Sequence, residues 1–133
     1  MIAVDTNVLV RILADDPGQP AQAAAARALL VEAGQVFVPT IVQVEAIGVL
    51  ESGYGLPKQS IVDTLEHLEV NQAFVQEDDD LCQRALTLFR SANADYADCL
   101  ILAGRRDRDR TLYTFDKRLA RLAGAERVSV DEG

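Results

Sequence analysis

Apolar positions along this chain follow two periods. Short runs rich in β-branched and aromatic residues stand at Ile2-Ala3-Val4, Val36-Phe37-Val38, Phe74-Val75, Thr111-Leu112-Tyr113 and Val128-Ser129-Val130, and they read as buried strands. Longer stretches with helical spacing separate them. Helices are expected over Val8–Leu13, residues 20–33, Thr40–Ser52 and Lys58–Leu68, then from the acidic run Glu77-Asp78-Asp79-Asp80 through Phe89, over Ala94–Gly104 and over Lys117–Ala123. Pro39 and Pro57 sit where helices open, and Gly53-Tyr54-Gly55 where one stops. Strand and helix in alternation predict the α/β class, with a short, mostly parallel sheet flanked by helices. No repeat, linker or low-complexity segment breaks the pattern, which predicts one domain over residues 1–133.

Four acidic residues fall inside or against these apolar segments: Asp5, Glu45, Asp98 and Asp116. A desolvated carboxylate costs several kcal/mol unless a partner or an ion compensates it, so their placement predicts a shared acidic pocket. Asp5 and Asp116 each follow a predicted strand, at the carboxyl edge where open α/β sheets bind ligands. Glu45 lies in a helix that is apolar on nearly every side, a pattern that predicts burial. Asp95 and Asp98 share the first turn of a helix; Asp95 has the look of a cap and Asp98 that of a functional group. The run at 77–80 suits the positive end of a helix and is given no chemistry.

The charge pattern limits what the chain can bind without specificity. The net charge is −8, but residues 1–100 hold 5 basic and 15 acidic side chains whereas 101–133 hold 8 and 6. Global acidity excludes a nucleic-acid coating protein, yet leaves room for phosphate contact near the C-terminal end. No apolar run reaches the roughly 18 residues of a membrane helix and no signal peptide opens the chain, so a soluble cytoplasmic protein is expected. Cys82 and Cys99 lack metal-ligand spacing and read as reduced packing thiols, and the single His67 reads as a solvated helix residue.

Chemistry follows from the acids alone. Two unit charges about 4 Å apart repel by roughly 4 kcal/mol at an effective dielectric of about 20, so four together would partly protonate. A hard divalent cation removes that conflict, and an all-oxygen donor set suits Mg²⁺ or Mn²⁺ rather than zinc.

Four segments in order, Met1-Ile-Ala-Val-Asp5-Thr6-Asn7-Val-Leu-Val-Arg11, the helix carrying Glu45, Asp95-Tyr-Ala-Asp98-Cys-Leu-Ile and Thr114-Phe-Asp116-Lys-Arg-Leu, resemble the PIN domain. In length and spacing the chain is similar to the VapC-type toxins of bacterial toxin–antitoxin pairs. Cys99, where alanine is usual, and Gln43, where a small or apolar residue is frequent, depart from the common pattern without touching the acids. The resemblance implies a three-layer α/β sandwich and a Mg²⁺-dependent ribonuclease, with Asp5, Glu45, Asp98 and Asp116 as catalytic acids. Asp5 and Asp98 would be the most direct metal ligands; Asp95, Thr114 and Asn7 would support them, Asn7 by organising the turn after the first strand. Arg11, Arg105, Arg106, Lys117 and Arg118 would contact RNA phosphates. A homodimer is implied too, as is a VapB-like antitoxin whose tail fills a groove near helices 40–52 and 57–68.

Three other readings compete. A haloacid-dehalogenase-like phosphatase needs a second aspartate where Asn7 stands, and a receiver domain needs a mid-chain phosphoacceptor and a late lysine. A non-catalytic RNA- or protein-binding module of the same fold has no reason to keep four mutually repelling acids.

Overall fold

The computed structural model describes residues 1–105 and 110–131, which fall into two compact units, Met1–Asp79 and the chain from Asp80 onward. In the first, the order is β1 (Ile2–Ala3), α1 (Thr6–Leu13), α2 (Pro20–Ala33), β2 (Val36–Val38), α3 (Thr40–Ser52), α4 (Lys58–Val70) and β3 (Phe74–Gln76). The three strands pair in parallel in the order β1-β2-β3, with Ile2 beside Val36 and Val36 beside Phe74. Parallel neighbours need crossovers, and the helices between the strands supply them.

Local chemistry sets the boundaries. The Asp5 carboxylate accepts the Val8 amide at 3.1 Å, so α1 starts at Thr6, two residues before the expected Val8. Pro20 opens α2, and Gly34 ends it with φ +76°, a conformation that suits a residue without a side chain. Pro39 offers α3 no capping side chain; Glu77 reaches back and accepts the Thr40 amide at 2.9 Å. Leu9, Val10, Val36, Val38, Ile47, Leu50, Ile61 and Leu68 are buried in this unit. Each fully buried aliphatic side chain of this kind contributes about 1.5–3 kcal/mol. α1 packs on both α2 and α3, which fixes the end of β1 where Asp5 projects.

In the second unit, α5 (Asp79–Ser91) and α6 (Tyr96–Ala103) precede β4 (Leu112–Thr114) and β5 (Ala125–Arg127). Cys82, Leu86, Phe89, Tyr96, Cys99, Leu102 and Leu119 are buried there, with the rings of Phe89 and Tyr96 edge to face at 5.7 Å. Both cysteines are thus buried packing thiols. β4 and β5 run parallel, with Leu112 beside Ala125 and Thr114 beside Arg127.

Two expectations fail in this region. The helix expected over Lys117–Ala123 is a single 3-10 turn, Leu119–Arg121. Asp116 winds the chain through its Oδ1, which accepts the Arg118 and Leu119 amides at 2.8 and 2.9 Å, but Leu122 is already extended. Too few residues remain for a second turn. The strand expected at Val128–Val130 falls instead at Ala125–Arg127, because Gly124, at φ +91°, turns the chain straight into pairing with β4. Val128 still donates to the Thr114 carbonyl at 2.8 Å before the chain departs. The α/β class itself stands, and every strand pair among the described residues is parallel.

Candidate active site

Each unit holds two of the four acids. In the first, Asp5 stands two residues beyond β1 and Glu45 on α3. Thr6, the first residue of α1, donates its hydroxyl to the Glu45 carboxylate at 3.1 Å, which ties the two acidic segments together. Asp5 spends one oxygen on the Val8 amide and Glu45 spends one on Thr6. Their other oxygens accept no hydrogen bond among the described residues.

Glu45 is not buried, contrary to the expectation drawn from its apolar surroundings. It lies on an exposed stripe of α3 between Ile41, 67% exposed, and Val49, one turn to either side. The buried polar residue of that helix is Gln43, 2% exposed, which donates to the Gln76 amide oxygen on β3. Asp5 and Asp116 are exposed as well. These three acids therefore face solvent, where a dissolved ion or a charged polymer can reach them.

In the second unit, Asp98 occupies the first turn of α6 and Asp95 its N-cap position, although the Asp95 carboxylate makes no capping hydrogen bond. Partial burial pushes the Asp98 carboxyl above the usual carboxylate range, and the negative charges of Asp95 and Asp116 add to the effect. Asp116 follows β4 by two residues, as Asp5 follows β1. Its backbone amide donates to the Thr114 hydroxyl at 3.0 Å, which closes the turn between β4 and this acid. Asn7 does not play the matching part for Asp5. It is the second residue of α1, and the turn after β1 is capped by Asp5 itself.

The donor set is entirely carboxylate and therefore suits a hard divalent cation in kind. Among the described residues, no three His, Cys, Asp or Glu side chains converge closely enough to hold an ion between them. Glu45 is thus tied to the residue that follows Asp5, and Asp98 feels the charges of Asp95 and Asp116, which a cation would relieve.

The PIN domain family matches residues 2–125, a span that includes both pairs of acids. The chain is a member of the PIN domain family. No curated protein matches it. PIN domains are generally nucleases that use divalent metals, so the chain carries a nuclease-type fold and belongs, at that level, with the hydrolases.

The basic residues of this PIN domain differ in what they can reach. Arg11 is held on three sides: Nε donates to Gln22 at 3.1 Å, and Nη1 donates to the Tyr54 hydroxyl at 2.8 Å and lies 3.4 Å from Asp16. Arg105 donates to the Arg110 carbonyl and packs where a side chain on residue 124 would have to be, which is a second reason for glycine there. Lys117 and Arg118, directly after Asp116, are exposed. Arg106 lies outside the described residues. His67 is exposed on α4, as expected, with its ring edge against Phe74. No described helix is long and apolar enough to cross a membrane. Thr6 is a support of the acids that the sequence alone does not single out; the hydroxyl directly after Asp5 is the available signal.

Proposed function

We propose that this PIN domain is a Mg²⁺- or Mn²⁺-dependent endoribonuclease whose catalytic acids are Asp5, Glu45, Asp98 and Asp116. The observation that carries the reading is the placement of Asp98 in a member of a nuclease family: a half-buried carboxyl in the first turn of α6 that feels the charges of Asp95 and Asp116. Such a group binds a proton or a cation more readily than an isolated carboxylate does. When bound, a divalent ion lowers the pKa of a coordinated water and offsets charge on the phosphate being displaced.

The residues divide the remaining work. Asp5 and Asp98 are the principal ligands, and Glu45 and Asp116 complete the acidic shell. Thr6 orients the Glu45 carboxylate, and Thr114 fixes the backbone of Asp116. Lys117 and Arg118, exposed directly after Asp116, contact the RNA phosphate backbone. No serine, cysteine or histidine nucleophile is required, and the site supplies none.

The wider role is that of a VapC-type toxin, single-domained and cytoplasmic, acting as a homodimer and silenced by a VapB-like antitoxin. Its support is the order and spacing of the acidic motifs over the matched 2–125. The deciding experiment incubates purified protein with cellular RNA and sequences the new ends. Chelator-sensitive cleavage that disappears in Asp98→Asn is expected. Cleavage that persists in that variant, or in excess chelator, refutes the assignment.

A further inference from the structure

Beside Asp5, residues of α1 and α2 line an open cleft of about 570 Å³, within the usual range for small-ligand sites and large enough for a nucleoside. Val8, Ala25, Ala26 and Leu29 supply its apolar lining, and its polar residues are Asp5, Asn7, Arg11, Gln19 and Gln22. An apolar slot with a few converging polar groups is what a flat heterocycle with one hydrogen-bonding edge requires.

Two of those polar groups have fixed polarity. Arg11 can only donate, so the Gln22 oxygen must face its Nε, 3.1 Å away, and the Gln22 amino group must turn the other way. Arg11 is itself held, because Nη1 is engaged by Tyr54 and Asp16. Tyr54 in turn donates to Asp16 at 2.8 Å, which locks the arrangement. On these two lining residues, the groups left outside that network are the Nη2 of Arg11 and the amino group of Gln22. Both are donors, and neither can become an acceptor without breaking the network.

We propose that this cleft is a nucleobase subsite that selects a base with an exocyclic carbonyl, uracil or guanine, over one with an amino group in the same place. The inference rests on the ribonuclease reading, and it assigns Gln22 and Arg11 to substrate choice rather than to the chemistry at the phosphate. A keto oxygen accepts from the fixed donors, whereas the amino group of cytosine or adenine meets them donor to donor and forgoes those hydrogen bonds.

Neutral nucleosides test the subsite without metal or cleavage. Uridine against cytidine and inosine against adenosine are matched pairs that differ at the relevant carbonyl. Each is titrated into the protein while the side-chain NH signals of Arg11 and Gln22 are followed by NMR. Saturable shifts are expected, with the keto member of each pair bound about tenfold more tightly, the smaller end of the discrimination that a good base contact provides. Gln22→Glu keeps an oxygen for Arg11 but replaces the donor by an acceptor, so the preference should vanish or invert at an unchanged melting temperature. Ala25→Phe, at an exposed α2 position lining the cleft, should abolish the shifts in all four titrations while the protein stays folded. Absent shifts, equal affinity within both pairs, or an unaltered preference in Gln22→Glu would overturn the subsite. So would an Ala25→Phe protein that binds nucleosides normally but changes its oligomeric state, which would give the cleft to a second copy of the chain. RNA cleavage by wild type is scored separately, so a failed subsite with cleavage intact leaves the nuclease reading standing. Nucleoside selectivity without cleavage would do the reverse.

Discussion

The Thr6 hydroxyl donates to the Glu45 carboxylate at 3.1 Å, joining two residues 39 positions apart in sequence. Thr6 opens α1 directly after Asp5, so one side chain couples the loop beyond β1 to the exposed face of α3. Glu45 has ordinary freedom on that face without it.

Thr6→Val keeps the shape and removes the donor. The hydrogen bond is solvent-accessible, so its loss should cost no more than about 1 kcal/mol of stability. Activity should suffer more than stability, with kcat/KM for RNA falling about tenfold, or about 1.4 kcal/mol in transition-state terms. Thr6→Ser should restore most of it. Equal rates for the valine variant and wild type would remove Thr6 from the site.

Asp98 gives an opposing pair of effects. Its raised pKa means that the charged form costs the folded state stability at neutral pH, a cost that fades as the pH falls through the raised value. Asp98→Asn should therefore melt higher than wild type in chelator at pH 7 while losing RNA cleavage. Mg²⁺ should reverse the order, because an ion that binds only the native state adds about 2.7 kcal/mol at a hundredfold excess over its Kd. Calorimetry of both proteins with and without the ion reads this directly. A variant that gains as much from Mg²⁺ as wild type does would remove Asp98 as a ligand.

The positions of the acids were legible in the sequence, but their environments were not. Asp5 and Asp116 each follow a parallel strand by two residues, as the strand pattern implied. Glu45 was misjudged because an all-apolar helix suggests burial, while α3 keeps Ile41 and Val49 exposed and buries Gln43. Composition cannot tell which side of such a helix faces inward when both sides are apolar. The C-terminal misreading had another cause. The run Val128-Ser129-Val130 has the better strand composition, yet the turn at Gly124 sets the register three residues earlier. Arg11 looked like a phosphate contact, and only its long-range partners Gln22 and Tyr54 reveal how much of its guanidinium is occupied.

That same network predicts a pH response. The Tyr54 hydroxyl, then the Gly18 amide, hold the Asp16 carboxyl below its ordinary 3.8, while Asp16 pushes the Tyr54 phenol above its ordinary 10.0. A depressed carboxyl contributes stability that is present above 3.8 and lost as the pH falls through its lowered value; a raised phenol contributes below 10.0 and is lost as the pH climbs through its raised one. Tyr54→Phe should melt below wild type across the interval between those values. The gap should narrow below 3.8 and again above 10.0. A gap of constant size down to strongly acid pH would mean that Tyr54 contributes packing alone.

Gln43 has a different kind of importance, since it is 2% exposed and its amide meets that of Gln76 across the α3–β3 contact. Gln43→Ala should remove the buried partner of the half-buried Gln76, leave the Gln76 oxygen short of that donor, and open a void. An unsatisfied buried polar group costs about 1–3 kcal/mol, and the lost packing adds to it. Gln43→Met fills the space but still orphans Gln76, so it should recover part of the loss and no more. Urea unfolding of the three proteins separates the contributions. If the methionine variant matches wild type, packing rather than hydrogen bonding fixes α3 against β3. If both variants lose equally, hydrogen bonding between the two amides rather than packing fixes α3 against β3.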